Sequence, residues 1–492
     1  MTQLDTDLAL LADTVLQPGF VGTDAPDWVR RRLGRGLGGL ALYSRNITDR
    51  AQVAALTAQL RAENPDVVIA VDEEAGDVTR LDARTGSDRP GNLALGAVDD
   101  IPLTETVARD IGADLAAVGI TLNYAPTVDV NSRPENVVIG VRSFGADPAL
   151  VARHSAAWVR GLQSAGVAAC AKHFPGHGDT VEDSHYDAAR VHSSREELAA
   201  VALPPFAAAI RAGVRAVMTG HLLVAAYDPE LPATLSPALL TGLLREELGF
   251  DGLIVTDGIE MAAVAKQWGV GGAAVRALAA GADAICVGGE YKNEGIVGLL
   301  RNSIVTAVRE GALTEQRLAE AAARVRELAT WQRIASSATV PRAPEAGLRA
   351  ARRAVRMTGA ALPLAGPPHV VELDTPTGIA VDQAMPWGVA APLAARWAAT
   401  TAERVTADAD PSWLDGALAA AAARPLVVVG RDVRHHPWAV AARAALLAAR
   451  PDAVVVELGM PEPAPVGATY VVTHGGTRAC ATAAAELLTG QS

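Results

Sequence analysis

Cysteine is scarce in this chain. The 492 residues hold three, Cys170, Cys286 and Cys480. They lie too far apart for a disulfide framework or a compact metal-ligand set. Buried free thiols in a reducing compartment are the expectation. Aromatic residues are sparse while Ala and Arg are frequent, which reads as coding bias rather than function. Basic charge is not in excess: the formal net charge is −12. That balance argues against nucleic acid or an anionic membrane as the main partner, because both demand a basic patch. No block of like charge is long enough to form an interaction tail. No apolar run approaches the ~20 residues that span a bilayer. The start, Met1-Thr2-Gln3-Leu4-Asp5, has neither a basic stretch nor a small-residue cleavage site. A signal peptide is therefore not expected, and a cytoplasmic location is the default. There is no short-period solenoid repeat. The segment after Leu348 has Gly-rich turns but no complete Gly-x-Gly-x-x-Gly, so nucleotide binding there is poorly supported.

What the chain does have is length and apolar content. Half of its residues are hydrophobic, enough for sizeable cores, and the length predicts two or three domains. Short apolar runs recur along the first ~300 residues, separated by longer stretches of helical period, the pattern of βα units. The candidate strands are Pro18–Gly22, Gly38–Tyr43, Val67–Asp72, Ile120–Tyr124, Val167–Lys172, Ala216–Gly220, Leu253–Asp257 and Ala284–Gly288. Eight such units predict an α/β fold with a (β/α)8 TIM-like barrel; a doubly wound open sheet is the structural alternative. Asp72, Lys172, His221 and Asp257 fall at or just after C-terminal strand ends. Barrel enzymes build their sites on that rim, which favours the barrel.

A helix over Glu315–Ile334 closes this domain, and a Ser-Ser-Ala-Thr-Val-Pro-Arg-Ala-Pro stretch reads as a linker. A basic helix over Leu348–Met357 opens the last segment. Strand-like runs follow at Val370–Leu373, Pro425–Val429, Ala453–Leu458 and Thr469–Thr473. The expected organisation is a catalytic barrel over 1–336, a linker over 337–347 and a smaller α/β sandwich domain over 348–492.

Titratable groups concentrate in Lys172-His173-Phe174-Pro175-Gly176-His177-Gly178-Asp179-Thr180-Val181-Glu182-Asp183-Ser184-His185. The segment follows a strand and is punctuated by Pro and Gly, so it projects polar groups from a loop. One chemistry is metal binding through His173, His177, Asp183 and His185, although a compact pattern such as His-Glu-x-x-His is missing. The other is acid/base work. Asp183 lies two residues before His185, and in a tight turn a carboxylate bonded to one imidazole nitrogen leaves the other to move a proton. A second segment, Leu253-Ile254-Val255-Thr256-Asp257-Gly258-Ile259-Glu260, delivers Asp257 to a strand end. A carboxylate there suits nucleophilic attack, or it caps the next helix. Asp72 also has two readings: acceptor from a sugar diol, or helix cap. Arg142 either reaches the rim or is solvated. The Arg434-His435-His436 cluster reads as a solvated loop.

The run from Lys172 to Gly178 followed by Asp183-Ser184-His185 resembles the signature of glycoside hydrolase family 3 β-N-acetylglucosaminidases. Val255-Thr256-Asp257-Gly258-Ile259-Glu260-Met261 is similar to the strand that carries that family's catalytic Asp. The resemblance covers about residues 10–335, and the segment after Leu348 resembles the α/β sandwich domain that many members carry. It implies Asp257 as nucleophile, His185 as acid/base and Asp183 as its partner. It implies Lys172 and His173 as sugar-binding residues, with Asp72, Arg80 and Arg142 at the N-acetylglucosamine pocket. The implied activity is a retaining β-N-acetylhexosaminidase acting on β-N-acetylglucosaminides, with no metal and no cofactor. Phosphate as acceptor in place of water is a second reading, because a His acid/base does not repel an anion as a carboxylate does. A metal-dependent hydrolase and a non-catalytic sugar-binding protein are further alternatives. Two departures stand out. Glu73-Glu74-Ala75-Gly76-Asp77 replaces the usual Gln-Glu-Gly-Gly-Arg, placing Asp77 where a cation is common. Gly258 stands where related branches have Asp or Trp.

Overall fold

The computed structural model describes residues 3–180, 189–288, 293–335, 342–359 and 362–491. The chain divides into two compact units. The first comprises Met1–Glu74, Thr104–Ile139 and Gly145–Ala343; the second comprises Ala75–Leu103, Gly140–Phe144 and Pro344–Ser492. Two short segments inside 1–336 therefore cluster with the C-terminal residues rather than with their sequence neighbours.

In the first unit, strands β1 (Leu16–Pro18), β2 (Gly39–Leu42), β3 (Val68–Val71), β4 (Leu122–Asn123), β5 (Ala168–Phe174), β6 (Ala216–Thr219), β7 (Leu253–Thr256) and β8 (Ile285–Val287) alternate with helices. β2 to β7 form a six-stranded sheet in chain order, and each neighbouring pair is parallel. β1 pairs with β8 in parallel, and Val255 of β7 bridges to Ala284 just before β8. The strands are buried on both faces, which explains why they read as continuous apolar runs. One face follows the period of two: Ala70, Ala168, Cys170, Ala216, Ala284 and Cys286 share a single core cluster. Local chemistry starts the helices. Asp147 caps Pro148–Ser164 by accepting from Ala149 N, with Pro at the first turn. Ser194 and Glu197 form a capping box on Arg195–Ala200.

Before β8, the buried Asp283 is bonded by Arg245 and Arg317, lies 3.4 Å from Arg324, and accepts Ile254 N–H at 2.9 Å. This ion cluster braces the strand starts, leaving the strand ends to carry the site. The first strand begins earlier than Pro18–Gly22, because Leu-rich helix Gln3–Thr14 runs almost directly into it and hides the boundary. A short parallel pair, Ala189–Val191 with Leu222–Val224, was also not foreseen.

The second unit holds β9 (Arg356–Gly359), β10 (His369–Leu373), β11 (Thr401–Val405), β12 (Leu426–Gly430), β13 (Val454–Glu457) and β14 (Thr469–Val472). Their sheet order is β9-β14-β13-β12-β10-β11, with β9 the antiparallel edge. The basic helix spans Glu345–Ala354, and Met357 lies in β9 rather than in the helix. β11 escaped notice because it is a largely exposed edge strand with no apolar run. Gly347 permits a close approach within this unit: a Cβ there would fall 2.3 Å from the Asp88 carbonyl. No helix among the described residues is long and apolar enough to cross a membrane.

Candidate active site

β5 carries two polar residues into the interior. Lys172 is only 2% exposed, and its Nζ lies 2.7 Å from both Asp72 Oδ1 and Glu74 Oε1. A buried ammonium demands such compensation. Asp72 follows β3, and no helix begins near it; the next starts at Asn92 with Gly91 as its N-cap. The capping reading of Asp72 therefore falls. Glu74 was missed, although its signal was present: an acid two residues after Asp72 on the same strand exit. Asn123 ties this exit to β4, accepting Glu73 N–H at 2.9 Å and donating to Glu73 O at 2.8 Å.

Cis peptides fall at Lys172–His173, within β5, and at Phe174–Pro175, where the chain leaves it. Asp129, fully buried, organises the exit. Its carboxylate accepts His177 N–H at 2.7 Å and His173 N–H at 3.2 Å, and meets His173 Nδ1 at 2.8 Å. A carboxylate that already accepts backbone N–H groups acts as acceptor toward the ring as well. Nδ1 therefore carries the proton, which presents Nε2 for the sugar contact the resemblance implies. His177 Nδ1 lies 2.6 Å from Thr180 Oγ1, and its ring stands edge-on to His173 at 6.0 Å. Gly178 passes so close to the segment after β4 that a Cβ would fall 1.7 Å from the Val130 carbonyl. Asp129 was not singled out from the sequence, because nothing local marks it as the partner of a loop 44 residues away. Asp183 and His185 lie outside the described residues. Among the described residues, no three His, Cys, Asp or Glu side chains group as a metal site.

Asp257 leaves the end of β7. Its N–H donates to Thr219 O at 3.1 Å, and its Oδ1 accepts Gly258 N–H at 2.8 Å. The following helix, Ala262–Ala280, has Met261 as N-cap without a side-chain cap bond. Asp257 therefore does not cap it, and the half-buried carboxylate is presented at the strand end instead. Asp257, Asp72 and Lys172 act on the same neighbour. Burial pushes the Cys170 thiol far up; Lys172 pulls against that, while Asp72 and Asp257 add to it. Lys172 and Asp72 are in direct contact, and Asp257 stands at the end of β7 in the same parallel sheet. His221 is buried, its Nε2 2.9 Å from the Gly258 carbonyl.

Arg80 and Arg142 belong to the second unit. Arg80 Nη1 donates to Ala380 O at 2.9 Å, and the Arg142 carbonyl accepts from Asn92 Nδ2 at 2.8 Å. Asp77 is in the same unit. Its Oδ1 accepts Gly476 N–H at 2.8 Å, and the Arg431 guanidinium acts on it favourably. Arg431 and the Gly476 N–H offset part of the cost of burying this unusual acid. Burial raises the Asp77 carboxyl from its ordinary 3.8 to about 6, with Arg431 and Gly476 opposing. A folded value above the unfolded one means that the folded chain binds the proton more tightly. This contribution to stability is complete below pH ~4 and is lost as pH rises through ~6. Asp77→Asn keeps the acceptor for Gly476. It is expected to flatten the fall in stability between pH ~4 and ~6, read by urea unfolding of the full chain across that range. An unchanged pH slope would refute the assignment.

Residues 24–328 match the glycosyl hydrolase family 3 N terminal domain. The β-hexosaminidase of Stenotrophomonas maltophilia is 39% identical over 281 residues, covering 55% of this chain and 82% of that protein. β-Hexosaminidase A of Pseudoalteromonas piscicida is 34% identical over 319 residues, 60% of this chain. That match spans about half of the relative's length, 53%. A solved family 3 β-N-acetylglucosaminidase from Paenibacillus sp. str. FPU-7 superposes with a TM-score of 0.88 at 34% identity, covering 98% of this chain and 97% of that one.

Proposed function

This chain belongs to glycosyl hydrolase family 3, and from that premise we propose that it is a retaining β-N-acetylhexosaminidase that releases N-acetylglucosamine from β-linked glycosides. The observation that carries the reading is Asp257. It is a carboxylate at the end of a buried strand, not a helix cap, in the same parallel sheet whose β5 carries the buried Lys172–Asp72 ion pair. The relatives named β-hexosaminidase and the solved β-N-acetylglucosaminidase supply the substrate class.

In the first step Asp257 attacks the anomeric carbon. His185, protonated and held by Asp183, gives its proton to the leaving oxygen, and a glycosyl-enzyme ester forms. In the second step His185 takes a proton from water, which attacks the same carbon and releases the sugar with retained configuration, as microscopic reversibility requires. Lys172 holds Asp72 in place to accept from sugar hydroxyls, and Asp129 sets the His173 ring. The roles of His185, Asp183, Arg80 and Arg142 rest on the resemblance.

The reading includes closure of the β1–β8 strands into a (β/α)8 barrel. Its support is the β1–β8 pairing, the Val255–Ala284 bridge and the bond from Gly38 N–H to Asp13 O at 3.1 Å, which ties the approaches to β1 and β2. The three buried free thiols fit a reducing, cytoplasmic setting.

The test compares an aryl β-N-acetylglucosaminide with the matching β-glucoside in phosphate-free buffer after exhaustive chelation. The expected result is turnover of the N-acetyl substrate at least about a hundredfold faster in kcat/KM, with free N-acetylglucosamine as product. Preference for the glucoside would overturn the substrate assignment. A strict need for phosphate, with a sugar 1-phosphate product, would replace the hydrolase with a phosphorylase. Loss of activity on chelation would restore a metal.

A further inference from the structure

We propose that His221 is a positioning residue for the nucleophile: its Nε2–H holds the Gly258 carbonyl and so fixes the turn that presents the Asp257 carboxylate. The inference rests on the reading of Asp257 as nucleophile and extends it to the residue that holds its geometry.

The side chain of His221 is fully buried. Nε2 lies 2.9 Å from Gly258 O, and Nδ1 lies 2.8 Å from Thr234 Oγ1. A carbonyl only accepts, so Nε2 must carry a proton in either charge state of the ring. In the neutral ring, Nδ1 then accepts from the Thr234 hydroxyl, and Thr219 Oγ1, 2.7 Å from Thr234 Oγ1, donates to that oxygen in turn. In the cationic ring, Nδ1–H donates to Thr234, whose own proton goes to Gly220 O at 3.1 Å. Both arrangements keep the Nε2–H bond to Gly258, so the grip does not depend on the protonation state.

What is gripped matters. Asp257 N–H donates to Thr219 O, and His221 holds the carbonyl just after the nucleophile. The segment 219–221 therefore clasps the backbone on both sides of Asp257. Between the two points, Gly258 N–H donates to Asp257 Oδ1 at 2.8 Å, so the orientation of the Gly258 backbone sets the plane of the attacking carboxylate. Gly258 has no side chain to lock it, and a glycine has the most conformational freedom to lose. An external clamp therefore does what a bulkier residue at 258 would otherwise do by packing. The Gly258 carbonyl also accepts Met261 N–H at 2.9 Å, which joins the clamp to the start of the next helix.

His221→Leu removes the clamp while keeping the bulk apolar. His221→Gln can restore it, with its amide N–H on Gly258 O and its amide oxygen accepting from Thr234. With an aryl β-N-acetylglucosaminide, the Leu variant is expected to lose about a hundredfold in kcat, the scale of a misplaced reacting group. KM and inhibition by N-acetylglucosamine should stay within about threefold, because the lost interaction serves the transition state. The Gln variant should recover at least about tenfold of the loss. Amide hydrogen exchange at Gly258, followed by NMR or by mass spectrometry of the peptide that contains it, should quicken in the Leu variant and return toward wild type in the Gln variant. A kcat for His221→Leu within threefold of wild type, a parallel loss in KM without recovery by Gln, or unchanged exchange at Gly258 would each overturn the proposal. If the wild type fails to turn over the N-acetyl substrate, the proposed function fails, and the exchange comparison still decides the role of His221.

Discussion

Asp257→Ala is expected to reduce kcat on an aryl β-N-acetylglucosaminide by at least about a thousandfold, the scale seen when a catalytic nucleophile is removed. Thermal stability should change little. The residue is half-buried, it follows the end of β7 rather than sitting within it, and its backbone bond to Thr219 O survives the substitution. Affinity for N-acetylglucosamine should also survive, since Lys172, Asp72 and His173 remain in place. The stereochemistry provides a sharper check. In the retaining route the carboxylate attacks from the face opposite the leaving group. Azide entering the space left by the Ala substitution attacks once from that face, so the product should be the α-glycosyl azide. Recovery of β-azide, or more than a tenth of wild-type turnover without azide, would remove Asp257 from the nucleophile role.

Lys172→Met is expected to cost about 3–5 kcal/mol of stability, the usual penalty for leaving buried charge without its partner. For a unit of this size that is a fall in midpoint of roughly 5–8 °C. Met keeps the length and the apolar stem, so the change isolates the ammonium. Without it, Glu74, 4% exposed, and Asp72 face each other with no cation between them. Two carboxylates in that position repel, which raises the pH at which one of them takes up a proton. The folded variant then binds a proton more tightly than the unfolded chain, so its deficit should shrink as pH falls. Thermal unfolding at pH ~5 and ~8 reads both the size and the sign. A loss below about 1 kcal/mol, or a deficit that grows toward acid, would show that the ion triad does not hold the site. Lys172→Arg should not restore stability: a planar guanidinium does not replace a compact ammonium that serves two carboxylates at 2.7 Å.

Much of the strand framework was legible because parallel strands buried on both faces write themselves as apolar runs. β3, β6 and β7 lie inside the runs read for them, with Asp72 and Asp257 where those runs end, whereas β5 continues past the predicted end at Lys172 to Phe174. β1 was misplaced where helix and strand abut, and β11 was invisible because an exposed edge strand has no apolar signature. The polar partners were harder to see. Glu74 and Asp129 complete the surroundings of Lys172 and His173, yet both looked like ordinary loop acids. Asp77 looked like a lost cation, whereas its balancing charge, Arg431, comes from the far end of the chain.

Local pattern alone was enough for the α/β alternation and for polar strand ends such as Asp257, because each depends on residues a few positions apart; the nucleophile role of Asp257 came from the family resemblance. Folding had to settle which acid faces which cation, whether Asp257 and Asp72 cap helices, and how the turn after Asp257 is held. Those outcomes depend on strand register and loop approach between distant segments: 48 residues separate Asp129 from His177, and 399 separate Asp77 from Gly476. A buried polar atom takes whichever partner the packing brings within about 3 Å, and no periodicity along the chain encodes that choice.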